Sequence, residues 1–288
     1  MTLAGLLAIT RPVNALVAGL AALLGYIIAT GTIVPLALVL VPIVFAITAG
    51  GNVFNDLCDL EIDRINRPDR PLPSGKVSPR AAGALATALF AAGLALTIPC
   101  GLPCVVIAVA NSLLLVAYAR TLKRTVFWGN AVVSYLSASI YPFGGALAGI
   151  PAMERTLPLA GITLLAMLSR ELLKDAEDVP GDSAAGARTV PIVHGVKKTA
   201  IIAYACAIGA IAVSILPVVP WWGRYYLAGI GIADLVIFAG AALALRCRTP
   251  ECVRKSRATG ILKLGMYLAL AVITASAILS GNLHIPAS

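Results

Sequence analysis

Charge is what this sequence has least of. Only 12% of its 288 residues are Asp, Glu, Lys or Arg, about half the share of an ordinary soluble domain, and that scarcity argues against a water-soluble globule. Histidine is almost absent too. His194 and His284 are too few and too far apart to make a metal site of their own. The six cysteines (Cys58, Cys100, Cys104, Cys206, Cys247, Cys252) have neither zinc-ligand spacing nor the pattern of an extracellular disulfide framework. They read as small buried hydrophobes. No Walker loop, GxSxG or HExxH string occurs, so nucleotide hydrolysis and protease chemistry lack support.

What the chain has is apolar length. Hydrophobic residues make up 59% of it, and mean hydropathy is +0.93. Nine stretches are long enough to cross a bilayer, which takes roughly 20 apolar residues as a helix. They are Val13–Thr30, Ile33–Phe54, Ala81–Pro99, Leu102–Ala119, Val126–Ile150, Leu157–Leu173, Thr199–Val219, Tyr225–Leu245 and Ile261–Ser280. Lipid offers backbone groups no partner, so each should be helical, giving an all-α integral membrane protein. The first stretch runs towards a second without an A-x-A-like cleavage site, so no removable signal peptide is expected.

The basic residues separate sharply between the flanks of these spans. Twenty fall on the side of the N-terminus and only Arg155 and Arg224 on the other. This bias predicts a cytoplasmic N-terminus, cytoplasmic long loops and an outside C-terminus. Trp221 and Trp222 would then lie in the far interface. The net charge of +9 reflects topology and an anionic substrate, with no nucleic acid needed and no protein partner inferred.

The acids are more selective. Of 13, five lie between Asp56 and Asp69 and five between Glu171 and Asp182. In Asn55-Asp56-Leu-Cys-Asp59-Leu-Glu61-Ile-Asp63, helical geometry points Asp56, Asp59 and Asp63 within about 60° of one another. Three carboxylates on one stripe repel, so a cation is expected there. Oxygen ligands without His or Cys favour a hard one such as Mg²⁺. The second cluster, Arg170-Glu171-Leu-Leu-Lys174-Asp175-Ala-Glu177-Asp178-Val-Pro-Gly-Asp182, repeats the spacing, with Asp175, Asp178 and Asp182 each 119 residues after a counterpart. Pro180-Gly181 is expected to end that helix and leave Asp182 on a loop. Arg70-Pro-Leu-Pro is echoed by Arg188-Thr-Val-Pro at an offset of 118. This reads as an internal duplication within one domain spanning residues 1–288. A solvated, charge-rich helix end is the plainer reading of either cluster. Matched spacing at membrane depth favours function, because ionisable groups there are by default functional. Carboxylates for Mg²⁺ with Arg and Lys alongside suit a diphosphate.

Asn55-Asp56-x-x-Asp59-x-x-x-Asp63 followed by Arg-x-Asn-Arg-Pro-x-Arg-Pro-x-Pro-Ser-Gly resembles the first signature of the UbiA superfamily of intramembrane prenyltransferases. Lys174-Asp175-x-Glu177-Asp178-x-x-Gly181-Asp182 resembles the second. The likeness extends to Arg11-Pro-x-Asn14 and to Tyr118 through Lys123. It implies nine helices around a central cavity, cytoplasmic cap loops, two Mg²⁺ ions and a bound prenyl diphosphate. By that pattern Asn55, Asp56, Asp59, Asp63, Asp175, Asp178 and Asp182 serve the metals, and Asp59, Asp63, Asp178 and Asp182 carry the catalysis. Asn14, Arg64, Arg67, Arg70, Tyr118, Lys123, Lys174 and Arg188 are then the candidates for holding the diphosphate or substrate. That second segment together with Gly186-Ala-Arg188-Thr is most similar to the archaeal branch, whose members join geranylgeranyl to the lipid phosphate geranylgeranylglyceryl phosphate. Prenylation of an aromatic acceptor by the same fold is the alternative. A multi-helix transporter suits the composition as well, although its charges belong at the midplane and its repeats are commonly inverted. A CDP-alcohol phosphotransferase would need an Asp-Gly-x-x-Ala-Arg lead-in, which is absent.

Overall fold

A computed structural model describes residues 2–216 and 223–279. Trp221, Trp222, His284, Ser280 and the end of the stretch expected to reach Val219 lie outside the described residues. In chain order the helices are α1 (Leu3–Thr10), α2 (Pro12–Thr30), α3 (Leu40–Cys58), α4 (Leu60–Asn66), α5 (Pro79–Thr97), α6 (Leu102–Arg120), α7 (Trp128–Ala138) and α8 (Ile140–Ala146). Next come α9 (Ile150–Arg155), α10 (Leu157–Ala184), α11 (Val190–His194), α12 (Val196–Ser214), α13 (Gly223–Ala244), α14 (Pro250–Ser256) and α15 (Ala258–Leu279).

Local chemistry sets the boundaries. Proline stands in the first turn of α2, α5 and α10, where its missing N–H costs nothing. Ser78 accepts from the Ala81 N–H and caps α5. α2 stops at Gly31, whose φ of 69° is open to glycine at no steric cost.

Seven helices among the described residues are long and apolar enough to cross a membrane: those within Pro12–Thr30, Pro35–Cys58, Pro79–Cys100, Leu102–Arg120, Val196–Ser214, Tyr225–Ala244 and Ala258–Ile278. Each matches an expected span. The stretch Val126–Ile150, expected as one span, is instead two helices that part at Ser139, α7 and α8. The stretch Leu157–Leu173 is the apolar beginning of α10. That helix has 28 residues and runs about 42 Å at 1.5 Å per residue, longer than the roughly 30 Å of a hydrocarbon core. Its charged second half therefore continues beyond the apolar stretch.

The chain divides into two compact units. Among the described residues, the first contains residues 2–122 together with Ile140–Arg155, and the second contains Lys123–Ser139 and the chain from Thr156 to Leu279. In the first, Tyr26, Leu40, Ile43, Ile47, Cys104 and Phe143 form the main core. A second cluster, with Ile9, Val53, Leu72 and Val77, pins the loop after α4 against α1, α3 and α5. In the second unit, Leu172 and Leu173 of α10 meet Ala200, Ala203 and Ala207 of α12, and Ile237 and Leu262 complete the cluster. The alanine row lets the helices approach closely.

Cys100 and Cys104 are buried as small apolar groups, as expected. Cys247 and Cys252 depart from that expectation and form a disulfide. The chain reverses between α13 and α14, bringing their Cα atoms to 5.3 Å, within bonding range.

Helix packing in the first unit depends most tightly on Gly144 in α8. A Cβ there would lie 2.0 Å from the Ala22 carbonyl oxygen of α2, whereas one at Gly231 in α13 meets nothing within 4 Å. Gly144→Ala is expected to cost about 2 kcal/mol or more through overpacking, and Gly231→Ala to cost nothing measurable. Thermal unfolding in detergent micelles checks the pair; equal midpoints would show that the α2–α8 contact is not tight.

Candidate active site

Each unit carries one of the acidic sets on a helix that continues past an apolar stretch. In the first unit α3 turns into α4 at Asp59, but the hydrogen-bond ladder persists. The Asp59 N–H reaches the Asn55 carbonyl at 3.0 Å, and the Asp63 N–H reaches the Asp59 carbonyl at 2.8 Å. The stripe expected from spacing is therefore kept. Asp56 and Asp63 are both buried, and Arg70 binds them together. Its guanidinium is 2.5 Å from Asp63 Oδ2 and 3.6 Å from Asp56 Oδ1. Arg11 meets Asp56 Oδ1 at 2.5 Å from the other side. Asn55 donates to Asp59 Oδ2 at 3.0 Å.

In the second unit α10 runs unbroken through Pro180 to Ala184, which corrects the expectation that Asp182 sits on a loop. A proline removes one ladder bond and can leave the helix continuous when its surroundings hold it. Here Val179 packs beside the cluster of Ala176, Val196, Cys247 and Val253. The N–H of Ala185 and of Ala187 closes onto the carbonyls of Gly181 and Asp182. Asp175, Asp178 and Asp182 thus share a helical face at spacings of three and four. Asn130 of α7 donates to Asp175 Oδ2 at 2.8 Å. Burial pushes the Asp175 carboxyl up to about 7, against the pull of the Asn130 hydrogen bond. Burial likewise raises Asp182, with the neighbouring Asp178 adding to it. Both would be readier to ionise with a cation beside them. Glu177 faces elsewhere: its carboxylate accepts from Thr259 Oγ1 and its carbonyl from Arg254, each at 2.8 Å. That fixes the back of the helix.

Among the described residues no three acidic, His or Cys side chains already converge as a closed metal site. The donor set nonetheless fits a hard cation in kind, because it is carboxylate and amide oxygen throughout. Arginine supplies the positive charge of the first set.

The remaining sequence candidates are distributed around these sets. Arg64 pairs with Glu61 at 2.7 Å on an exposed face, while Arg67 and Asn14 are exposed in the same unit. Tyr118 is half-buried near the end of α6, where the Arg120 guanidinium lies 5.5 Å over the Phe54 ring. In the second unit Lys123 is half-buried, and Lys174 lies 3.7 Å from Glu171. The Arg188 N–H bonds the Arg124 carbonyl, and the Arg188 side chain is exposed.

Two site residues escaped the sequence reading. The sequence marks Arg11 only as part of the Arg11-Pro-x-Asn14 motif and does not single out Asn130. Asn130 had a signal: it is a lone amide inside an uncharged apolar stretch, where polar groups are expensive. Both stand 45 residues before the aspartate they hold. Arg11 and Asn130 are therefore related by the same offset of 119 that relates Asp56 to Asp175, and the repeat reaches beyond the aspartates.

The model of the UbiA prenyltransferase family matches residues 15–266. The chain belongs to this family. It is 56% identical to the digeranylgeranylglyceryl phosphate synthase of Methanoculleus marisnigri over 97% of this chain and 100% of the relative. To that of Methanoregula boonei it is 54% identical over 96% and 99%. A structure solved in work on digeranylgeranylglyceryl phosphate synthase in membranes superposes with a TM-score of 0.83 at 34% identity, covering 96% of this chain and 98% of that one. A UbiA homolog from Archaeoglobus fulgidus bound to GPP and Mg²⁺ shares the fold, with a TM-score of 0.61 at 16% identity over 94% of this chain and 99% of that one. The chain is thus a multi-pass membrane prenyltransferase, which sets the transporter reading aside.

Asn130→Ala leaves Asp175 without its donor. It is expected to lower prenyl transfer at limiting Mg²⁺ by about tenfold, the usual scale for losing an outer-shell partner. A magnesium titration of initial rates tests this, and a curve identical to that of the unaltered protein would show that the contact does not serve the site.

Proposed function

We propose that this protein transfers the geranylgeranyl group of geranylgeranyl diphosphate to the free hydroxyl of geranylgeranylglyceryl phosphate, forming the second ether bond of an archaeal-type membrane lipid. The observation that carries this reading is the near-full-length identity to digeranylgeranylglyceryl phosphate synthases in a chain whose two acidic helix faces are intact. Two Mg²⁺ ions would serve the reaction by neutralising diphosphate charge, one held by each face. Asn55, Asp56, Asp59 and Asp63 would hold one, and Asp175, Asp178 and Asp182 the other. The basic flank bias supports a cytoplasmic N-terminus and cytoplasmic acidic faces, with the C-terminus outside. Nine crossings, with α7–α8 and α10 supplying the two beyond the seven clear spans, fit that orientation.

When bound, the metal neutralises charge that builds on the departing diphosphate. The protein's own residues do the rest. Arg67, Arg70, Lys123, Lys174 and Arg188 are the basic residues that would meet the diphosphate oxygens, Arg70 and Lys174 by turning from their carboxylate partners, and guanidinium forks bind two oxygens at once. The carbon–oxygen bond at the first prenyl carbon breaks and its electron pair leaves with the diphosphate. An allylic cation remains, and apolar helices must shield it from water. The acceptor hydroxyl oxygen then bonds to that carbon and its proton is released. Arg64 and Asn14, both exposed, would meet polar parts of either substrate.

Incubating the purified protein with radiolabelled geranylgeranyl diphosphate and separate acceptors, geranylgeranylglyceryl phosphate and hydroxybenzoate, should label only the lipid phosphate. Label in the aromatic acceptor alone would overturn the assignment. Asp59→Asn and Asp178→Asn should each reduce turnover at least about 10²-fold, as for other lost charge-stabilising groups, without changing the unfolding midpoint, and EDTA should abolish activity. Full activity in either variant, or in chelator, is the contrary result.

A further inference from the structure

Among the described residues, arginine pairs with the aspartates of the first acidic set and not with those of the second, whose neighbouring cation is Lys174. Asp56 and Asp63 are buried carboxylates, and two guanidinium groups, Arg11 and Arg70, neutralise them one for one. Arg11 and Asn130 occupy equivalent places in the repeat, yet one is a cation and the other a neutral amide.

Resting on the metal-dependent reading above, we infer that Arg11 is a positioning residue. It stands in for a cation at Asp56, so that a metal enters the first set only when a diphosphate arrives to take the guanidinium over. The charges that face Asp56 are Arg11, Arg70, Asp63 and Asp59. A divalent ion arriving alone would have to displace Arg11 and then sit beside it, like charge against like. A diphosphate removes that conflict by giving the guanidinium a second anion whose oxygens suit its planar fork.

The local backbone suits the task. Arg11 is the single residue between α1 and α2, with a φ of 51°, a left-handed conformation that is uncommon outside glycine and Asn. Its N–H bonds the Ala8 carbonyl, and Asn52 of α3 donates to the carbonyl of Thr10, so the base of the side chain is fixed to the helix that bears Asp56. The side chain itself is 36% exposed against 9% for Asp56. It can swing away while the carboxylate stays.

Arg11→Asn tests this, because it gives the first unit the side chain the second already has. Asn also tolerates the left-handed backbone, so the variant should fold. Mn²⁺ binding is measured by electron paramagnetic resonance on the full chain in lipid nanodiscs, with no diphosphate present. Arg11→Asn should bind the first-set ion about tenfold more tightly than the unaltered protein, within the range typical of coupled sites. It should also raise KM for geranylgeranyl diphosphate at saturating Mg²⁺ more than it lowers kcat. Arg11→Lys, which keeps the charge, should stay near the unaltered protein in Mn²⁺ binding. Unchanged or weaker Mn²⁺ binding by Arg11→Asn would overturn the inference. EDTA-sensitive transfer by the unaltered protein separates that failure from a failure of the functional reading, which would instead appear as no transfer in any variant.

Discussion

The site depends on keeping several carboxylates at the end of an apolar helix, where water is scarce and like charges repel. Each carboxylate must find a proton, a hydrogen-bond donor or a cation. The two units meet that demand differently. In the first, arginines from the α1–α2 joint and from the loop after α4 close on Asp56 and Asp63. In the second, an amide from α7 supports Asp175, and burial pushes its titration up towards neutrality. Either arrangement leaves the acids tolerable alone and more strongly ionised beside a divalent cation.

The rest of the fold serves these charges. Leu72 and Val77 are buried with Ile9 and Val53, which fixes the loop that supplies Arg70. Exposed basic residues around it can then reorganise without loosening the unit. In the second unit, alanines of α12 draw that helix against Leu172 and Leu173, just before the charged turn of α10. Buried apolar clusters thus stand beside the charged ends of both helices.

Much of this could be read from the sequence, because it is periodic or compositional. Uncharged length located the seven clear spans, and spacings of three, four and seven put Asp56, Asp59 and Asp63 on one helical face. The shortfalls have physical causes. Val126–Ile150 carries no charge, so the absence of charge that marks a span could not reveal the break at Ser139. Pro180 suggested a stop, whereas the packing of Val179 and the closing bonds at Ala185 and Ala187 carry the helix through. The Cys247–Cys252 bond depends on a chain reversal that residue counting does not describe. Arg11 and Asn130 act on residues 45 positions away, beyond any local pattern.

The continuity of α10 makes its angular setting matter. Thr259 and Arg254 bolt Glu177 from behind, so the aspartate face cannot roll about the helix axis to correct an error. One residue added upstream, between Leu157 and Ser169, would turn everything after it by about 100° and strand Asp175, Asp178 and Asp182 on the wrong bearing. The phase of the screw, as much as the chemistry of its acids, is therefore what this segment must preserve.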